Sequence, residues 1–407
     1  MTVRGAVRLI LLSVLLGLSV FALVTSTSMP PQSTAEGQQV SRTLPEVTPP
    51  TGPMGEVFHE ARPATLQIEM RSVRSLRSEV VGVGTGFFIS ADGLVLSAYH
   101  VVDPPAAGIP RSDLQLVGVG HDEERYSLEL VGFDAYFDLA LLQAEVNDEV
   151  PFIPLAERSP RVGTDVVAIG NSRGEFLEGR AGRVTGLGVA APRPDLAENT
   201  IALNAALSPG DSGGPVLNPD GEVVGVVSYI SYGTRDSPFD GDTFVPPYLR
   251  GLIAGNNFAS FAIPVSRDGN DVIDAVLAGE QRDVPVIGFT WGQGYDYDPE
   301  SPRWAGAGLG PRPGVIVRTV EPGGPADLAG LRSYQEHYSR SGDDDARTVE
   351  ADVITAVNGI ATPGFYELLA EVRKYEIGDA VTLEVQRGTE VLQLELTLAP
   401  RRSTFSQ

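Results

Sequence analysis

Between about residues 57 and 268 the chain is broken into eleven short runs of β-forming residues: TLQIEM, GTGFFIS, LVLSAY, LQLVGVG, SLELVGF, LALLQAE, DVVAIG, GRVTGLGV, TIALNAAL, VVGVVSYI and FAIPV. Turn residues separate most of them. Short strands at this spacing predict an all-β sandwich or barrel region rather than an α/β sheet, and eleven strands suffice to close two small barrels.

Beyond this region the pattern changes. The segment DGNDVIDAVLAGEQ carries apolar residues at helical spacing and a glycine near its end, which predicts a connecting helix. From 284 to 400, VPVIGF, GVIVRTV, DVITAVNG, AVTLEVQRG and VLQLELTL read as strands, with PADLAGL and FYELLAEVRKY as helices between them. The economical reading is a smaller α+β domain. At the other end, Arg4 and Arg8 precede sixteen mostly apolar residues, LILLSVLLGLSVFALV. Residues 1–28 therefore read as a signal peptide or an uncleaved membrane anchor, the run being slightly short of the roughly 20 residues of a spanning helix. Either reading exports the rest of the chain. Residues 29–55, rich in Pro, Thr, Ser and Gly, read as a flexible linker into a folded region of 56–280.

Composition removes several function classes. The formal charge is −23, and of 30 basic residues only Lys374 is a lysine. With no basic stripe to neutralise phosphates, nucleic acid is excluded as a partner. The absence of cysteine removes disulfides, thiolate catalysis and zinc–thiolate sites, and no metal or organic cofactor is implied.

The stretch SPGDSGGPVLN sets three glycines and two prolines around Ser212. Alone it reads as a turn before a buried strand. Its glycines also free backbone N–H groups to converge where an oxyanion could form. Among the four histidines, His59, His121 and His337 lie in polar or boundary context. His100 ends an apolar strand, where a satisfied core histidine is the plain alternative, and Asp138 precedes another, where a strand-start cap is. Together they mean more, because a serine hydroxyl needs a histidine to take its proton and a carboxylate to fix that histidine's tautomer. The order His100, Asp138, Ser212 is that of chymotrypsin-type enzymes.

GTGFFISADGLVLSAYHVVD, DLALL, VVAIGNSRG, GDSGGPVLNPDGEVVGVVS and FAIPV, in this order, resemble the protease domain of the HtrA (Deg) family of exported serine proteases. The resemblance implies an all-β, chymotrypsin-like double β-barrel, trimeric, that cleaves unfolded or misfolded proteins without ATP. It implies Ser212 as nucleophile, His100 as general base, Asp138 as its orienting acid, and the N–H groups of Gly210 and Ser212 as the oxyanion hole. Asp211 stands where the family mostly has Asn, and the expectation is that Arg173 or Arg183 pairs with it. Tyr99 is bulkier than the family's usual residue. Ala206 and Leu207, at the expected base of the substrate pocket, would favour small aliphatic side chains, with core packing as the alternative. The insert at 231–257 holds Asp236, Asp240 and Asp242 without the spacing of a calcium loop and reads as a solvated acidic loop.

The segment 284–400 resembles a PDZ domain, through VIGF, GVIVRTVEPGGPADLAGLR, DVITAVNG and GDAVTLEVQRG. Such domains add a peptide to a sheet edge and hold its carboxylate with backbone N–H groups, here at Ile287, Gly288 and Phe289. Inserts at 290–313 and 333–351 depart from the family. The leading expectation is an exported serine endopeptidase with PDZ recognition of peptide tails; the alternative is a catalytically silent peptide-binding or chaperone protein.

Overall fold

The computed structural model describes residues 49–74, 78–103, 111–172, 175–189, 199–231, 259–291, 295–341 and 344–405. The proposed signal or anchor segment, most of the linker, the acidic insert and Arg173 lie outside the described residues. Among the described residues no helix is long and apolar enough to cross a membrane, and no group of His, Asp and Glu is arranged to hold a metal.

A helix, α1 (Pro53–Ala61), occupies the end of the stretch read as linker. Pro53 sits where a missing N–H costs nothing. Phe58, 1% exposed, anchors the helix on the first core, a burial that contributes about 2 kcal/mol.

The first barrel is built from β1 (Thr65–Ser72), β2 (Glu79–Phe88), β3 (Leu94–Ala98), β4 (Leu114–Val119), β5 (Arg125–Asp134) and β6 (Leu139–Ala144). The order is β5-β4-β1-β2-β3-β6, and pairing of β5 with β6 closes it. Its interior is filled by Leu66, Ile68, Phe87, Leu96, Leu139 and Leu141. The second barrel comprises β7 (Asp165–Gly170), β8 (Glu178–Val189), β9 (Thr200–Leu203), β10 (Pro215–Leu217), β11 (Val223–Ser231) and β12 (Ala259–Pro264), closed in the order β10-β11-β12-β9-β8-β7. Smaller side chains, Val166, Ala168, Val184, Val216 and Val224 among them, fill it. The twelfth strand is β10, which begins three residues after Ser212, within the stretch whose glycines and prolines read as a turn.

Between β3 and β4 stands a single helical turn, α2 (Tyr99–Val102). The expected connecting helix is α3 (Asp271–Leu277), capped by Asn270, whose side chain accepts the Ile273 N–H. It leads into β13 (Gln281–Arg282), which adds to β5 in parallel.

The C-terminal region has the expected small mixed architecture. Gly314–Ile316, Asp352–Val357, Ala380–Arg387 and Glu390–Thr397 form its main sheet, with α4 (Pro325–Leu328) and α5 (Phe365–Val372) as its helices. The insert at 333–351 is largely an antiparallel hairpin, Gln335–Ser341 with Asp344–Glu350. The insert at 290–313 adds a short strand, Asp296–Tyr297, and buries Trp304. The chain ends in a short strand, Ala399–Pro400, paired back on Pro285–Val286, and a last turn, α6 (Arg401–Thr404).

Candidate active site

The distribution of the site over both barrels follows from where turns fall. His100 lies in α2, immediately after β3, and Asp138 immediately before β6, the strand that pairs with β3 in register Ala98↔Leu139. Neighbouring strand ends thus bring a histidine and a carboxylate 38 residues apart into contact. The His100 ring Nδ1 lies 2.7 Å from Asp138 Oδ2, and the His100 backbone N–H donates to Oδ1 at 2.8 Å. Asp138 takes a left-handed φ of 56° that aims it there, and its carbonyl accepts the Tyr99 N–H. A neutral imidazole that donates from Nδ1 presents Nε2 as an acceptor.

Burial opposes ionisation of Asp138, but the charge and hydrogen bonds of His100, with a hydrogen bond from Ser228, outweigh it and hold its carboxyl below the usual aspartate range. Ser228 Oγ donates to Asp138 Oδ2 across 90 residues of sequence. The sequence reading missed this serine, which lay unmarked in VVGVVSYI; a polar residue inside an apolar run was the only signal.

The Ser212 turn is locked against both barrels. Thr85 N–H donates to the Ser212 carbonyl at 2.8 Å and Gly213 N–H to the Val227 carbonyl at 2.7 Å. Gly213 is required: its φ is 84°, and a Cβ there would lie 2.1 Å from the Thr85 carbonyl oxygen and 3.0 Å from the Ala98 nitrogen. Such close approach sets Ser212 beside the end of β3, which carries α2 and His100. Ser212 itself is half-buried.

Pro209 and Gly210, the latter with φ 107°, form the centre of a turn in which Asp211 N–H donates to the Ser208 carbonyl, the pattern of a type II turn. The Gly210 carbonyl accepts from Thr85 Oγ1 at 2.7 Å, and the Asp211 carbonyl accepts from Gly214 N–H. In a trans peptide the C=O and N–H point opposite ways, so Ser212 N–H faces away from the Asp211 carbonyl. Among the described residues neither Gly210 N–H nor Ser212 N–H is spent on a hydrogen bond.

Asp211 is fully buried and braces this turn from inside. Its Oδ1 accepts the Ser172 N–H at 3.0 Å and its Oδ2 the Ser208 N–H at 2.9 Å. Arg183 does not serve it, because that guanidinium lies on exposed Asp165. The arginine that does is Arg180 on β8, 3% exposed, which reaches Ser172 Oγ and Glu175. The expectation of Arg183 erred because alternate residues of a strand face opposite sides: Arg183 is exposed where Arg180 turns inward. Burial nevertheless raises the Asp211 carboxyl above its ordinary value, with the two amides, Ser172 and Arg180 opposing.

Of the pocket residues, Leu207 is buried in the second barrel's core with Ala205 and Val216, and Ala206 alone keeps a half-exposed surface. In the C-terminal domain Ile287 is buried in that domain's core, Gly288 takes φ 91°, and half-buried Phe289 starts a two-residue strand, Phe289–Thr290, paired with Thr319–Val320.

Residues 84–226 match the trypsin-like peptidase domain and residues 285–398 the PDZ domain. The chain is similar to the chloroplastic Protease Do-like 1 of Arabidopsis thaliana, with 28% identity over 85% of this chain and 71% of that protein. It is 26% identical to serine endoprotease DegS of Salmonella typhimurium over 83% of each chain, and 30% identical to a probable periplasmic DegP-like serine endoprotease of Hahella chejuensis over 76% of this chain and 58% of that one. It is a trypsin-like serine protease with one PDZ domain, similar to the Do-like, DegS and DegP-like endoproteases. A histidine bridged to a buried carboxylate, near a glycine-locked serine, is an arrangement with the chemical means to hydrolyse a peptide bond.

Proposed function

We propose that this HtrA-type protease is exported and cleaves unfolded or misfolded polypeptides outside the cytoplasm, in protein quality control, with its PDZ domain recognising peptide tails. The observation that carries the catalytic part is the double grip of Asp138 on His100, at 2.7 Å to the ring and 2.8 Å to the backbone. In this reading His100 Nε2 takes the Ser212 proton as Oγ attacks the scissile carbonyl, Asp138 steadies the imidazolium, and the proton returns to the leaving amine. The carbonyl oxygen, now negative, is received by the N–H groups of Gly210 and Ser212, each worth roughly 3 kcal/mol to the transition state. Half-exposed Ala206 supports a preference for small aliphatic side chains at the cut. Export is supported by the apolar run after Arg8 and by the periplasmic naming of a relative; assembly as a trimer follows the family resemblance.

The test is labelling of residues 56–407 with a fluorophosphonate probe beside Ser212→Ala, with casein as an unfolded substrate. Labelling and casein cleavage that both vanish in the variant are expected. A folded chain that is never labelled, yet suppresses aggregation, would replace this reading with the silent, peptide-binding one.

A further inference from the structure

Arginines from outside the first barrel converge on its aromatic surface directly behind His100 and Asp138. Tyr99, 1% exposed, stacks on Phe133 with ring centroids 4.7 Å apart. The Arg401 guanidinium lies 5.6 Å from the centre of the Tyr99 ring and that of Arg402 5.0 Å from the Phe133 ring. Arg401 also donates from Nη2 to the Asp103 carbonyl at 2.6 Å. This carbonyl ends α2, and Tyr99 OH closes the same turn by donating to Asp103 Oδ2. Nearby, Arg282 lies 4.3 Å and Arg373 5.7 Å from the Tyr136 ring, two residues before Asp138.

The turn so gripped has little strength of its own. α2 is four residues long and has no side-chain cap at its N-terminus. One isolated helical turn is unfavourable, because nucleation fixes several residues for a single hydrogen bond. A cation on its last carbonyl and over its first ring supplies support from outside. Arg401 is itself held in place: its N–H donates to the Val284 carbonyl, Arg402 N–H donates to Asp283 Oδ2, and Ala399 pairs with Val286. The end of the chain is thus strapped to the connection between the domains before it reaches the protease.

We propose that Arg401 is a positioning residue for the catalytic base, and that the segment Ala399–Thr404, which follows the PDZ domain, is a clasp on the turn carrying His100. Tyr99 is bulky because it is the clasp's seat. The clasp acts on the chemical step, since it orients the base and touches no surface assigned to substrate. It rests on the reading of His100 as base.

The experiment compares full-chain Arg401→Gln and Arg401→Lys with wild type, reading kcat and KM separately on a peptide substrate, with thermal melts in parallel. Loss of a ring-stacked cation predicts a fall in kcat of about tenfold for Arg401→Gln, with KM within twofold and recovery of at least half the loss in Arg401→Lys. Unchanged kcat in a folded Arg401→Gln overturns the inference, as does a loss confined to KM. If Arg401→Gln does not fold, Tyr99→Phe, which keeps the ring and removes the bond to Asp103, must lower kcat in the same way; unchanged kcat there is equally fatal. A wild-type chain that a fluorophosphonate never labels overturns the His100 reading and this inference together, whereas labelled wild type with unaltered variants overturns this inference alone.

Discussion

Asp138 in the first barrel and Asp211 in the second are both buried carboxylates of the proposed active site, yet they answer burial in opposite ways. Asp138 accepts three donors, two from His100 and one from Ser228, and its carboxyl sits below the ordinary range. Asp211 accepts two backbone amides and has its cation one hydroxyl away, at Arg180 beyond Ser172, and its carboxyl sits above it. Burial is the largest influence in both cases; what differs is whether a charge partner touches the carboxylate. A buried aspartate in direct contact with a histidine is held ionised, while one whose cation stands a residue away holds a backbone turn at a cost in its charged form.

The comparison can be broken most severely at Asp138. Asp138→Asn keeps the shape but favours the wrong tautomer of His100, and kcat is expected to fall by about 10⁴ in a burst-free peptide assay; a loss below tenfold would mean that His100 is oriented by something else. Next comes Arg180→Met, which strips the counter-charge from the Asp211 network. It is expected to cost about 3 kcal/mol in denaturant unfolding at neutral pH, and adding Asp211→Asn should restore part of it. If the double variant is no better than the single, Arg180 does not compensate Asp211.

Ser228→Ala removes one donor to the Asp138 carboxylate and leaves the His100 contacts intact. A fall in kcat of about tenfold is expected, with no change in the stability contributed by the Asp211 turn. The smallest effect is a pH dependence of opposite sign in two variants. Because the Asp138 carboxyl is depressed, its contribution to stability is present above the ordinary value of 3.8 and fades as pH falls through the lower folded value. Because the Asp211 carboxyl is raised, the fold prefers its protonated form, and stability is lost as pH rises through the higher folded value. Melting temperatures should therefore show Asp138→Asn losing ground to wild type as pH rises toward 3.8 from below, and Asp211→Asn gaining ground as pH rises above 3.8. Parallel trends would remove the distinction drawn between the two barrels.

How far each region was legible before the structure follows the range of the signals. The strands of both barrels other than β10, the helix α3 and the helices α4 and α5 were visible because apolar period, turn residues and caps act over a few neighbours. The helix α1 was hidden under Pro53 and a linker-like composition, and β10 under the glycines of the Ser212 turn. The assignment of Arg180 over Arg183 required knowing which strand face pointed inward, and Ser228 required knowing that β11 passes behind Asp138.

The residue types and their order along the chain determined that a serine, a histidine and a carboxylate were available on an all-β region, and that no cysteine or basic stripe could supply another chemistry. Only the tertiary structure decided their partners: Ser228 for Asp138, Arg180 behind Asp211, and Arg401 for the Tyr99 that local sequence left without a role. The physical reason is separation. Strand and turn preferences are set by atoms within a few residues, whereas these pairings span from 90 to about 300 residues for the serine and the clasp, and closure of the barrels and the return of the chain's end bring them together.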